Sequence, residues 1–229
     1  MPAHVRSIAA AIGGGILVAA CGSATLSVPS ATPTETMAAT TATATTASSA
    51  AWTVSDKSKA TIRVREQLVG VSLPSDAVLT ATGAQGSFAL NADGTFASGS
   101  KITFSLTTLS SDESNRDNFI KQDTLQVRQF PTADFVPTKT SRLTVPLATS
   151  GTFTFTLTGN MTIKGKTKEV TFDVTAKRDG SDLTATATAN PSWKFGDFGM
   201  TAPSVPLRVL SVTDEIRVAI EIVATGPKG

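Results

Sequence analysis

From Trp52 onward, apolar and polar residues alternate with a period of two, the mark of strands that bury one face and wet the other. The clearest case is residues 152–158, where Phe153, Phe155 and Leu157 share one face and threonines cover the other. The same alternation predicts strands through Ala60, Ile62 and Val64; through Ile102, Phe104 and Leu106; through Val170, Phe172 and Val174; and through Ile216, Val218, Ile220 and Ile222. Residues 86–90 and 183–189 predict two more. Glycine-bearing turns at Asn91-Ala92-Asp93-Gly94, Lys164-Gly165-Lys166 and Arg178-Asp179-Gly180 separate them, as hairpins between antiparallel neighbours require. Only residues 110–122 predict a helix: Ser110 or Ser111 suits its cap, acidic residues fill its first turn, and Lys121 lies near its end.

This pattern defines an all-β domain, an extended antiparallel barrel of about eight strands with one short helical segment. Closure removes both exposed sheet edges, and a two-sheet sandwich is the alternative. On the 183–189 strand, Leu183, Ala185, Ala187 and Ala189 put mainly methyl groups on one face. Two readings stand level there: a close-packed neighbour, or space left for a ligand.

Before Trp52 the strand pattern is absent. Residues 8–20 form an apolar run too short for a permanent membrane span, and it ends Leu17-Val18-Ala19-Ala20-Cys21, which resembles a bacterial lipobox. Residues 1–20 are therefore expected to be a lipoprotein signal peptide and Cys21 the lipidated mature N-terminus, with an ordinary secretory signal as the alternative. Residues 21–51 are rich in Ala, Thr, Ser and Pro and cannot bury enough apolar surface to offset their ordering entropy, so a flexible tether is expected there. Residues 52–229 carry the barrel domain. The expected location is extracytoplasmic, lipid-anchored to the cell membrane, because two or three acyl chains make a stable anchor.

Composition narrows the chemistry. Lys and Arg total 20 against 18 Asp and Glu, which leaves no electrostatic case for nucleic acid. The one cysteine, Cys21, and the one histidine, His4, both precede the domain. The domain thus lacks a thiol or imidazole for a zinc site, a disulfide or Ser-His catalysis. Oxygen-ligated metals and paired-carboxylate hydrolysis remain open, but no spacing points to either, so no catalytic residue, metal ligand or cofactor is assigned.

Three motifs have bland readings. Residues 159–167 (GNMTIKGKT) are one residue too long between glycines for a phosphate-binding loop and sit between two strands, as a hairpin would. Asp197-Phe198-Gly199 matches a kinase tripeptide by letters alone. Arg116-Asp117 on the predicted helix suits an anionic head group or, more commonly, a local ion pair. The aromatic residues say more. Phe119, Phe130, Phe135, Phe195, Phe198 and Trp193, with Met200, occupy the less regular segments, and with the strand phenylalanines they suit an apolar guest if the barrel has a cavity.

An ordered series of segments resembles the YceI-like family of bacterial lipid-binding proteins: Trp52 with Asp56 and Ser58; Arg116-Asp117; Phe130-Pro131 with Phe135; residues 159–170; Asp197-Phe198-Gly199-Met200; and Val212-Thr213-Asp214-Glu215-Ile216. The series runs from about Trp52 to Ala224. The resemblance implies a lipocalin-like barrel whose interior holds a long polyisoprenoid or isoprenoid-quinone-like chain, with a helical segment near Arg116. The expected function is to bind, store or transport that apolar ligand. Phe104, Phe119, Phe130, Phe135, Phe153, Phe155, Leu157 and Phe172 are the candidate wall residues. A cell-envelope scaffold with a filled barrel is the second reading, and a carboxylate hydrolase the third.

Overall fold

The alternation read from the sequence becomes ten strands in the computed structural model, which describes residues 51–227. In chain order they are β1 (Ala51–Val54), β2 (Lys59–Leu68), β3 (Ser75–Ala81), β4 (Gln85–Ala89), β5 (Lys101–Ser105), β6 (Thr132–Ser141), β7 (Ser150–Ile163), β8 (Lys166–Asp179), β9 (Asp182–Ala189) and β10 (Val209–Thr225). All pairings are antiparallel, and the neighbours run β1-β4-β5-β6-β7-β8-β9-β10 before β10 pairs back with β1. Eight strands therefore close a ring with no free edge. Strands β2 and β3 stand outside it, continuing the sheet from β10.

The ring flares because its strands differ in length. Strand β9 pairs with β10 only over residues 219–225 and stops at Ala189, whereas β10 extends back to Val209. Residues 209–221 of β10 instead carry β2 on the other side, and β2 carries β3. An open wing of three strands thus projects beyond the ring.

A helical segment packs against that wing. A 3-10 turn (Leu106–Thr108) leads to α1 (Ser114–Phe119), which runs into one wider turn at Ile120–Thr124. The cap is Glu113, whose carboxylate accepts from the Asn115 N–H at 3.1 Å, not Ser110 or Ser111 as the sequence suggested. Ser110 is unavailable because its backbone is extended and pairs with Thr80 of β3 in both directions. Ser111 instead donates to the Asp117 carboxylate from both N–H and hydroxyl, at 2.8 and 2.7 Å.

Inside the ring the space is filled. Phe135 meets Phe172 edge to face at 5.4 Å, and Trp52, Ile102, Val174, Ile222 and Ala224 pack in the same cluster. Gly159 of β7 is required by this packing, since a Cβ there would lie 2.5 Å from the Phe135 ring. The methyl-bearing face of β9 resolves toward close packing: Leu183 and Ala187 are buried in the ring's core, Ala185 and Ala189 pack against it, and none of the four borders the cavity between the wing and the helical segment. The two-residue turn between β7 and β8 places Lys164 and Gly165 both at positive φ, 50° and 69°, as a primed hairpin turn demands.

Arg178, on the same face of β8 as Phe172 and Val174, is buried at the end of the ring near the β8–β9 turn. No carboxylate meets it among the described residues. It donates to the carbonyls of Gly180, Leu147 and Ala148 at 2.9, 3.1 and 3.2 Å, and its guanidinium stands 5.0 Å from the centre of the Trp52 ring. These contacts satisfy the charge without an ion pair.

Candidate ligand cavity

Between the three-stranded wing and the helical segment lies a cavity of about 830 Å³. Its strand side is apolar because the inward positions of β2 and β3 alternate strictly: Ala60, Ile62 and Val64, then Ala77, Leu79 and Ala81. From β10 come Ile216, Val218 and Ile220, and from the helical side Leu109, Phe119, Ile120 and Leu125. The ring end is closed by Phe104, Met161, Trp193, Phe195 and Phe198. The volume falls within the usual range for small-molecule sites.

The motifs of the sequence reading hold this lining in place. Asp214 accepts from the Phe195 N–H at 2.9 Å, Glu215 accepts from the Ser192 hydroxyl at 3.1 Å, and Trp193 exchanges both backbone bonds with Ile216. The chain after β9 is thereby fastened to β10, with Trp193, Phe195 and Phe198 turned inward. Asp197 accepts from the Lys194 N–H at 2.9 Å and pairs with Lys168, and Gly199 ends the turn at φ 63°. Ser58, fully buried, exchanges two hydrogen bonds with the Val223 backbone and fixes the bend between β1 and β2.

One ion pair sits among the apolar lining. Glu66 occupies an inward position of β2 and accepts from Arg116 of α1 at 2.7 Å. The same guanidinium reaches Asp112 at 2.6 Å and the Ser111 hydroxyl at 3.3 Å. Burial works against the Arg116 charge, but the carboxylates of Asp112 and Glu66 outweigh it and raise its pKa above the usual arginine value. Asp112 is held below the ordinary carboxylate range, chiefly by the hydrogen bond from Arg116. Two of the lining carboxylates are thus committed to one arginine.

Of the eight wall residues expected from the sequence, Phe104 and Phe119 line the cavity. The other six lie elsewhere. Phe135 and Phe172 are one layer behind: Phe172 stacks edge-on at 5.9 Å against Trp193, and Trp193 forms the surface. Phe153, Phe155 and Leu157 occupy the far half of β7, whose Met161 and Ile163 reach the cavity. Four residues of strand separate Leu157 from Met161, about 13 Å. Phe130 packs beside the Gly165 turn. Leu79 and the rest of β3 were missed altogether, although Ala77, Leu79 and Ala81 alternate as clearly as Ala60, Ile62 and Val64. Glu66 offered a further signal, an acid on the apolar face of a predicted strand.

Among the described residues no group of acidic side chains is placed to hold a metal ion, and no helix is long and apolar enough to cross a membrane. The segments expected to be a signal peptide and tether, with Cys21, lie outside the described residues except for Ala51.

An eight-stranded antiparallel ring, continued by a three-stranded wing that walls an apolar cavity, defines a lipocalin-like β-barrel. The model of the YceI-like domain family matches residues 34–224, and the chain belongs to that family. Among curated proteins, a UPF0312 protein of Pseudomonas putida is 33% identical over 124 residues, covering 49% of this chain and 59% of the relative. The chain thus spans about three-fifths of the length of the curated relatives it matches. Among solved structures, a polyisoprenoid binding domain from Saccharophagus degradans superposes with a TM-score of 0.59 at 10% identity, covering 77% of this chain and 98% of that one. Burkholderia cenocepacia BcnA gives 0.50 at 19% identity, covering 73% and 96%. At these identities the two structures speak to the fold.

Proposed function

We propose that the domain binds a long apolar lipid, a polyisoprenoid or isoprenoid-quinone-like chain, in the cavity between the β2–β3–β10 wing and the helical segment. The observation that carries this reading is a cavity of about 830 Å³ whose lining is mainly aliphatic and aromatic. Affinity comes from burying the ligand's apolar surface, at about 25 cal/mol per Å² before association costs. The polyisoprenoid binding of the Saccharophagus domain, which shares the fold, supports the same ligand class. A filled scaffold has no use for such a space, and the domain fits a binder better than an enzyme.

We further propose that the protein works as an extracytoplasmic lipoprotein anchored through Cys21, its tether holding the domain away from the membrane. Native mass spectrometry of the protein purified from a bacterium without added ligand, followed by solvent extraction, tests the binding reading. A stoichiometric isoprenoid supports it; an empty protein that also fails to bind offered quinones and polyprenols contradicts it. Unchanged membrane partitioning of a Cys21→Ala chain would contradict the anchor.

A further inference from the structure

Two loops beside the cavity expose large apolar side chains to solvent. In the β2–β3 connection Leu73 is 73% exposed, with Val69 and Val71 close to half exposed. In the segment before and into β10, Leu207 is 92% exposed and Leu210 66%. The loops are neighbours: the Val69 N–H donates to the Arg208 carbonyl at 2.9 Å, and Val209 pairs with Leu68. Leu207 is held with φ at 67°, a conformation that disfavours a branched side chain, and it points into open solvent all the same. Elsewhere in the described residues, large exposed apolar side chains are isolated, at Val78 and Val136. Scattered single residues of that kind are ordinary, whereas a contiguous cluster marks an interaction surface.

Charge says what kind of surface. Residues 69–75 contain no charged side chain, and residues 202–212 contain one, Arg208. Protein interfaces are enriched in aromatic residues, methionine and arginine, and these two stretches carry no aromatic residue, no methionine and only one arginine. The cluster is also continuous with the cavity, because Val69, Val71, Leu207 and Arg208 line it. Asp112 and Glu113 line the same cavity from the helical side, so its lining offers no excess of positive charge. We infer that this tip docks onto a lipid bilayer, inserting Leu73, Leu207 and Leu210 among the acyl chains and leaving Arg208 at the head groups, so that the cavity opens directly onto the membrane. The contact is hydrophobic first, and anionic lipid adds little.

The inference goes beyond the ligand reading: docking is measured whatever the cavity holds, and a chain that binds isoprenoid in detergent yet fails to dock would overturn this inference alone. The test uses the full chain carrying Cys21→Ala, with one added substitution, Leu207→Trp, mixed with phosphatidylcholine vesicles in which a fraction of the acyl chains is brominated. Val136→Trp, on the outside of β6 and 41% exposed, is the control, four strands round the ring from β10. The readout is local, so attachment through any other segment leaves it unmoved. Bromolipid quenching about twofold or more above the control is expected for Leu207→Trp, with a blue shift of emission. A combined Leu73→Ser, Leu207→Ser, Leu210→Ser chain, changed only at exposed positions, should partition onto vesicles about tenfold less without loss of folding. Quenching equal to the control would overturn the proposal. So would self-association in solution that the serine substitutions abolish while quenching stays at the control level.

Discussion

The Arg116 guanidinium lies 2.7 Å from the Glu66 carboxylate and 2.6 Å from that of Asp112, so a single cation fastens α1 to the inward face of β2. The two attachments differ in worth. Glu66 is buried on β2, whereas the Asp112 side chain is 87% exposed and screened by water. Arg116→Met strands the Glu66 charge and is expected to cost about 2–3 kcal/mol, at or below the low end for a broken buried pair because Arg116 is partly solvated. Glu66→Gln keeps an acceptor and should cost about 1 kcal/mol. Asp112→Asn should leave stability unchanged. Urea unfolding of the three variants checks the order, and an Asp112→Asn loss equal to that of Arg116→Met would contradict it.

Filling the cavity and loosening the ring should separate binding from stability. Ala77→Phe places a ring into the open volume from β3, and isoprenoid affinity should fall about tenfold or more with a stability change below about 2 kcal/mol. Phe172→Leu thins the fully buried layer behind Trp193, and should cost about 1–2 kcal/mol while leaving affinity within about twofold. Titration with a fluorescent polyprenol alongside thermal unfolding measures both quantities. Equal effects of the two substitutions on affinity would place the ligand elsewhere.

How far the sequence carried is visible in these same residues. Period-two alternation located β2, β4, β5, β7, β8, β9 and β10, and the hairpin glycines located the β7–β8 and β8–β9 turns, because both signals are local. The strands β1, β3 and β6 escaped: β1 is only four residues long, β6 carries Pro137, which argues against a strand when read alone, and β3 was overlooked although its alternation is as clear as that of β2. The wall was harder still. Phe153 and Met161 lie on the same face of β7, and what separates core from cavity is distance along the strand relative to where β9 ends. That is a fact of ring closure, invisible to a local pattern. Glu66 and Arg116 are fifty residues apart in sequence and meet only because the helical segment folds back over β2.

At the opposite end of the ring, Arg178 serves three carbonyls with its planar fork of donors. Arg178→Met would leave those carbonyls to find water and remove the contact over Trp52, at an expected cost of about 1–3 kcal/mol. Arg178→Lys should rescue little of it, since an ammonium cannot reproduce the fork or the stacked plane. Both losses should appear in thermal unfolding with ligand affinity unchanged. Full rescue by lysine would show that charge alone suffices.

Acid should unfold the domain partly through Asp197. Burial raises its pKa, but the hydrogen bonds from Lys168 and the Lys194 N–H outweigh that and hold it below its usual 3.8. A carboxyl with a folded-state pKa below its unfolded value stabilises the fold above the unfolded value, and that contribution disappears as pH falls through the folded one. Stability should therefore decline below about pH 4. Asp197→Asn should be less stable at neutral pH and show a shallower decline. An acid limb identical to that of the parent chain would contradict the assignment.

The central claim is that an apolar chain lies between the β2–β3–β10 wing and the helical segment, not within the packed ring. Photocrosslinking with a polyprenol bearing a benzophenone along its chain, followed by peptide mapping, tests this most directly. Labels on peptides containing Ile62, Leu79, Phe119 or Phe195 are expected. Labels confined to residues 150–158 of β7, or labelling that excess unlabelled polyprenol does not suppress, would contradict it.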